Sequence, residues 1–127
     1  MSEWDVLRLM CPHLYKKPIH FECGPGWYDI ILDISIKIEN ILEKYADTHK
    51  VVEGEESEYI EMFAIQVKEK YGTLRFYMTC ETDEISKLIQ EYEAMSSQTC
   101  ENCSAPAKMR GKRFLEVKCD KCYQEVK

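Results

Sequence analysis

Gln66-Val67-Lys68-Glu69-Lys70-Tyr71-Gly72-Thr73-Leu74-Arg75-Phe76-Tyr77 reads as a β-hairpin, and that reading sets the fold class. It lies within two runs rich in aromatic and branched residues, Tyr59–Lys70 and Thr73–Thr79, with Tyr71-Gly72 as the turn between them. Successive side chains of a strand point to opposite faces. Ile65, Val67, Leu74, Phe76 and Met78 therefore form an apolar set. Gln66, Lys68 and Lys70 alternate with the first strand's apolar residues, and Thr73, Arg75 and Tyr77 with the second's. A two-residue turn sets Lys68 opposite Arg75 and Gln66 opposite Tyr77.

The flanks supply helices to cover the apolar face. From Trp27, Ile30, Ile31, Ile34, Ile38, Ile41, Leu42 and Tyr45 recur at three- and four-residue steps. Lys37, Glu39, Asn40, Glu43 and Lys44 fill the other side of that helix, which should fray near Asp47–His49. Thr82 precedes a second helix, about Asp83–Met95, carrying Ile85, Leu88, Ile89 and Tyr92. Residues 2–14 predict a short helix with Trp4, Leu7 and Cys11 in step and Ser2/Asp5 as its cap, broken by Pro12 and Pro18. Residues 50–58 read as an acidic surface loop. The expected class is α+β, with helices packed on one face of a small antiparallel sheet.

The C-terminal quarter follows from cysteine spacing. Cys100-Glu101-Asn102-Cys103 and Cys119-Asp120-Lys121-Cys122 are two CxxC turns fifteen residues apart. Each turn aims two sulfurs at one point, and four thiolates close a tetrahedron around Zn²⁺ with no open position. The expectation is a structural zinc ribbon over residues 99–127, with a hairpin across Lys108–Val117, beside an α+β body of residues 1–98. Cys11, Cys23 and Cys80 are left over and read as small buried hydrophobes. Free thiols suit a reducing compartment, so a cytoplasmic home is expected.

Composition narrows the function. The net charge is −6, and the imbalance is uneven. Residues 100–127 carry seven basic and four acidic side chains, the other 99 carry ten and nineteen. No apolar run approaches the ~20 residues that span a bilayer, and the acidic start Met1-Ser2-Glu3-Trp4-Asp5 lacks signal-peptide blocks. His13, His20 and His49 show no zinc-enzyme spacing, and there is no HExxH, nucleophile elbow or cysteine with an evident histidine partner. No residue pattern supports catalysis.

Three binding candidates stand out. The first is the Gln66, Lys68, Arg75, Tyr77 face. Two cations side by side normally repel, and an anion between them relieves this; the plain alternative is a polar outer sheet face. The second is Gly24-Pro25-Gly26-Trp27-Tyr28-Asp29. Its loop amides could face an anion, and Trp27 and Tyr28 could stack on a planar ring. Its plain alternative makes Trp27 a core anchor and Asp29 a helix N-terminal charge. The third is Lys108, Arg110, Lys112 and Arg113, a basic hairpin tip able to contact nucleic acid or a protein, with only Phe114 as a near aromatic. The acidic body opposes nonspecific nucleic-acid binding, and the plain alternative, equally weighted, is a solvated turn or a docking surface for that body.

Three blocks together carry a resemblance: Gly26-Trp27-Tyr28-Asp29-Ile30-Ile31, Gln66 to Tyr77, and Ser97-Gln98-Thr99-Cys100-Glu101-Asn102-Cys103 with the later Cys119/Cys122 pair. In this order the chain resembles a family of small bacteriophage and prophage proteins, over roughly residues 19–123. Members of that family often carry Gly after the second knuckle cysteine, where this chain has Ser104. The resemblance implies an accessory protein in the host cytoplasm that counters antiviral defence. A non-enzymatic sponge for an anionic nucleotide-like signal fits that context. Its site would combine Trp27, Tyr28 and Asp29 with Gln66, Lys68, Arg75 and Tyr77. The second-ranked alternative is a zinc-ribbon module binding nucleic acid or a host protein through 108–114, and the third an enzyme. A homo-oligomer is left open.

Overall fold

A computed structural model of the chain describes residues 2–49, 62–113 and 115–125. The acidic loop expected at 50–58, the start of the first strand-like run and Phe114 lie outside the described residues.

The fold is α+β, as expected, but its main sheet is mixed rather than purely antiparallel. In chain order the elements are helix α1 (Glu3–Met10), strand β1 (Phe21–Glu22), a 3-10 turn (Pro25–Trp27) and helix α2 (Tyr28–His49). Then come β2 (Ala64–Lys70), β3 (Thr73–Met78), α3 (Asp83–Ser96), β4 (Lys108–Arg110), β5 (Glu116–Lys118) and α4 (Asp120–Glu125). The sheet order is β1-β2-β3, with β1 parallel to β2 and β3 antiparallel. β4 and β5 form a separate antiparallel ribbon.

Local chemistry accounts for the elements. Ser2 caps α1 through a reciprocal box with Asp5. The helix stops at Met10, short of the expected 14, because Pro12 cannot continue it. Thr82 caps α3 by accepting from the Ile85 amide. Tyr71 and Gly72 both adopt positive φ, +54° and +80°, which matches the hand of a two-residue hairpin turn. The pairing is therefore the expected one, with Lys68 opposite Arg75 and Gln66 opposite Tyr77.

One residue departs from strand parity. The register shifts between Ala64 and Gln66, so Ile65 is the extra residue of a bulge and stands exposed while Ala64 is buried. The apolar face is thus Ala64, Val67, Leu74, Phe76 and Met78. It packs with Trp27, Ile31, Ile34 and Ile38 of the turn and α2, and with Ile85, Ile89 and Tyr92 of α3. α3 also closes the free edge of β3. The Ser96 hydroxyl accepts from the Leu74 amide at 2.9 Å, and Glu93 from the Phe76 amide at 3.1 Å. Outward N–H groups of an edge strand invite another chain, and these two side chains cover them.

Glu39, placed on the polar side of α2 by periodicity, is buried instead. Its carboxylate accepts from the His13 and Leu14 amides at 3.0 and 2.9 Å and meets His13 Nδ1 at 2.5 Å. It holds the turn after α1, where backbone donors would otherwise be orphaned.

Candidate functional site

The four cysteines of the two CxxC turns converge. Their sulfurs all lie within 4.8 Å of one another, with Cys103 and Cys119 3.5 Å apart. A tetrahedron with metal–sulfur bonds of ~2.3 Å has sulfurs ~3.8 Å apart, so the cluster can hold a metal ion with little adjustment. Each turn is locally prepared. Ser104 N–H bonds to Cys100 O at 2.9 Å, Cys122 N–H reaches the Cys119 sulfur at 3.4 Å, and Asn102 Nδ2 donates to the Cys122 sulfur.

The protons of this cluster respond to the same geometry. Burial pushes the Cys100 thiol up, but the backbone N–H groups of residues 119, 103 and 102 outweigh it and bring it to about 6. The Cys122 amide leads in lowering Cys119. At Cys103 the Ala105 amide pulls down, yet the neighbouring thiols prevail and carry it up to about 12. A cation at the centre removes that mutual penalty, since metal ligands must be thiolates.

The Gly24–Trp27 loop has a different occupant from the one its sequence suggests. Its backbone is met by the first cysteine turn. Gly26 N–H donates to Glu101 O at 2.6 Å, and Gly24 N–H to the Glu101 carboxylate at 2.7 Å. Trp27 Nε1 donates to Thr99 O at 2.9 Å, and Ser104 Oγ to Gly26 O at 2.6 Å. A Cβ on Gly26 would sit 2.6 Å from Glu101 O and closer still to Cys100 O. The glycines are required for this close approach. The loop is an anion nest filled by the chain's own Glu101. Burial pushes that carboxyl up, and the Gly24 amide pulls it part of the way back.

The fold itself takes up the aromatic half of the expected ligand site. Trp27 is fully buried, so its ring cannot stack on a ligand; it is the core anchor of the plain alternative. Tyr28 is half-buried, edge-on to Trp4 at 5.1 Å, and its hydroxyl donates to Glu3 O. Asp29 lines a groove of about 410 Å³ between α2 and α3 with Ile30, Leu32, Asp33, Ile36, Tyr92 and Met95. None of Gln66, Lys68, Arg75 or Tyr77 lines that groove. They stand on the sheet face turned away from the core.

That outer face keeps the expected set together. Gln66 and Tyr77 form one cross-strand pair, and Lys68 and Arg75 the next. Gln66 donates to Glu22 of β1, which stands in register beside Lys68, and the Glu93 carboxyl feels the Arg75 charge. Arg75 Nε is shielded from solvent and has no hydrogen-bond partner among the described residues. A buried guanidinium N–H without an acceptor is costly, and the arrangement suits an added anion.

The basic hairpin divides. Arg110 is committed to the ribbon: it donates to Lys118 O at 2.8 Å, pairs with Asp120 and lies over the Tyr123 ring at 4.9 Å. Lys108, Lys112 and Arg113 are exposed. Of the leftover cysteines, Cys11 is fully buried and Cys23 and Cys80 half-buried. Burial pushes the Cys11 and Cys23 thiols up to about 12, which makes them poor nucleophiles.

A second group of ligand-type side chains, His13, Glu39 and Glu43, lies within the same 4.8 Å limit. Both oxygens of Glu39 are already engaged by His13 and Leu14, so the group reads as a loop anchor. Sequence spacing carries no signal for it, because His13 and Glu39 are joined only by tertiary packing. Among the described residues, no helix is long and apolar enough to cross a membrane. No protein-family model, curated protein or solved structure gives a significant match to this chain.

Proposed function

We propose that this chain is a zinc-stapled binding protein, not an enzyme, that holds an anionic, nucleotide-like ligand on the outer face of its sheet. Zn²⁺ is the ion assigned to Cys100, Cys103, Cys119 and Cys122, because a closed four-sulfur set suits it and leaves no position for substrate water. Its role is to hold the ribbon. The observation that carries the binding reading is the Lys68–Arg75 cross-strand pair, with Arg75 Nε shielded and without a hydrogen-bond partner among the described residues. A planar guanidinium beside an ammonium recognises a phosphate through paired N–H donors. Gln66 and Tyr77 flank the pair and supply an amide and an exposed ring for a base.

The resemblance to phage and prophage proteins gives this binding a purpose. Such a protein would sequester a nucleotide signal in the host cytoplasm and so blunt antiviral defence. The test is a thermal-shift panel of cyclic, linear and ADP-ribose-type nucleotides against the zinc-loaded chain, with the bound ligand recovered after denaturation. The expected result is a rise in melting temperature for at least one ligand, its recovery unaltered, and loss of the shift in Lys68→Ala/Arg75→Ala. A flat panel sinks the reading, and a chemically altered ligand makes the protein an enzyme. The exposed Lys108, Lys112 and Arg113 favour a second reading, a ribbon contact to nucleic acid or a host protein.

A further inference from the structure

We infer that the ligand is a strand of several phosphates, single-stranded nucleic acid, lying across the outer sheet face and over the β2–β3 turn onto the ribbon. This rests on the reading of the sheet face as an anion site. It goes further, because a second hairpin repeats the same arrangement next to the first.

Like charges directly opposite on neighbouring strands destabilise a sheet. Here that happens twice: Lys68 opposite Arg75, and Lys108 opposite Lys118. Both occur in a chain of net charge −6, where acidic partners are plentiful. The two hairpins abut. Gly72, in the first turn, lies directly under the Met109 side chain and the Glu116 backbone of the ribbon. Tyr71, next to Gly72 in that turn, is 67% exposed, with Lys70 Nζ 5.6 Å from its ring centroid. Tyr77, 38% exposed, closes the far end of the sheet face.

The proposed path takes these groups in order: Tyr77 with Gln66, Arg75 with Lys68, Lys70 with Tyr71, then, across the Gly72–Met109 contact, Lys108 with Lys118. Tyr71 and Tyr77 are six residues apart, ~20 Å of strand. Cations that follow a backbone, with rings for successive bases, are the recurring means of holding a single strand without reading its sequence. The length suits a short site, at the ~4-nucleotide end of known single-strand binders. A duplex hides the base faces that the two tyrosines would stack on. The acidic neighbours of the track are Glu22, in register beside Lys68 and tied to Gln66; Glu93, near Arg75; Asp120, tied to Arg110 and close to Lys108; and Glu101, close to Lys118. They and the acidic body confine polyanion binding to this line.

The experiment is fluorescence anisotropy of the full zinc-loaded chain with labelled oligo-dT and oligo-U of 2 to 12 nucleotides, in 50–200 mM salt, with mononucleotides and a blunt duplex as competitors. Affinity should climb with length to a plateau above about four nucleotides. Lys68→Ala/Arg75→Ala should flatten the log–log salt slope by about 1.4, and Lys108→Ala by about 0.7. Tyr71→Ala and Tyr77→Ala should each weaken binding by about 5- to 150-fold. The melting temperature and zinc content of the free Lys68→Ala/Arg75→Ala protein are measured alongside, because Arg75 also faces Glu93 and Lys68 stands beside Glu22, and binding is compared below that melting temperature, so lost binding is not lost folding. If a mononucleotide binds as tightly as the 12-mer and the Tyr71 and Lys108 variants are silent, the strand inference falls while the sheet-face site stands. A preference for duplex also overturns it. If neither nucleotide nor oligomer binds, both readings fall.

Discussion

Replacing Gly26 by Ala tests whether the ribbon is docked on the body through the Gly24–Trp27 loop. The added Cβ would lie 2.5 Å from Glu101 C and 2.6 Å from Glu101 O, where ordinary contact begins at 3.4 Å. These are backbone atoms, so no rotamer change relieves the clash. The first cysteine turn must retreat by roughly 1 Å. That distance breaks the 2.6 Å bond from Gly26 N–H to Glu101 O and the 2.6 Å bond from Ser104 to Gly26 O, and strains the Trp27–Thr99 bond of 2.9 Å. At about 1 kcal/mol net for each, the expected loss is about 2–4 kcal/mol. For a chain of this size that is a drop of roughly 8–16 °C in melting temperature. The assay is thermal and urea unfolding with zinc content measured alongside, and Trp27 emission followed in a Trp4→Phe background. Zinc should stay bound, because the clash falls on the backbone of Cys100 and Glu101 and not on a sulfur, so the turn can retreat with its ligands, while Trp27 emission shifts red as its indole N–H loses Thr99. Unchanged stability with unchanged emission would refute the docking. Lost zinc with an intact body would place the clash inside the metal site instead.

Four further outcomes are expected. Gly72→Ala should cost about 1–2 kcal/mol from its left-handed backbone alone; urea unfolding in a Met109→Ala background should keep that cost, and its disappearance there would mean the penalty was only contact with Met109. Glu39→Ala should cost at least about 2 kcal/mol by leaving the His13 and Leu14 amides without an acceptor, with Glu39→Gln milder; equal losses from both would deny the amides their role. Chelating the metal proposed for the four cysteines should raise hydrogen exchange at Gly26 as well as at Ser104, because the Gly26 amide depends on the first cysteine turn; a protected Gly26 in the chelated protein would count against this. Stability should also fall with alkali. The Cys11 thiol is held up at about 12 in the fold against about 9 when unfolded, so between those pH values the unfolded chain has released a proton that the native chain keeps. Unfolding is then favoured by up to ~1.4 kcal/mol per pH unit. Cys11→Ala should flatten the decline between pH 8 and 10.5, and an unchanged slope would show that Cys11 is not its source.

The parts of this fold that were legible in the sequence are those fixed by neighbours along the chain. Tyr71-Gly72 dictated the turn, and the turn dictated that Lys68 meets Arg75. Thr82 and the isoleucine spacing placed α3, and α2 but for its first residue, and the cysteine spacing gathered the four sulfurs. What was not legible depends on distant partners. β1 is two residues long, too short for periodicity, and exists because Phe21 and Glu22 lie along β2. Ile65 left the core because one residue of bulge intervened. Glu39 turned inward to amides 25 and 26 residues away. Trp27 is a core anchor rather than a ligand platform because Thr99 O, 72 residues on, lies against its indole, a partner no local spacing announces.

The glycines draw these cases together. Of the chain's five, Gly24 and Gly26 admit the Cys100–Glu101 backbone and Gly72 admits Met109 and Glu116. All three lie at the seam between body and ribbon. Val117 of β5 is buried in the same cluster as Leu74 and Ile85, so the ribbon contributes to the core it leans on. Even Ser104, in the left-handed conformation at φ +73°, where glycine would be easier, uses its hydroxyl to bind Gly26 O. A metal staple alone would fold the ribbon without fixing where it points. Contacts at both the Gly24–Trp27 loop and the β2–β3 turn hold it at two places and fix its orientation to the sheet. Binding across two hairpins requires that geometry, since a mobile ribbon would lose entropy on every encounter. Gly26→Ala and the oligonucleotide titration therefore bear on each other: if the ribbon and the sheet share one ligand, loosening the seam should cut affinity for a long oligomer and leave that for a mononucleotide unchanged.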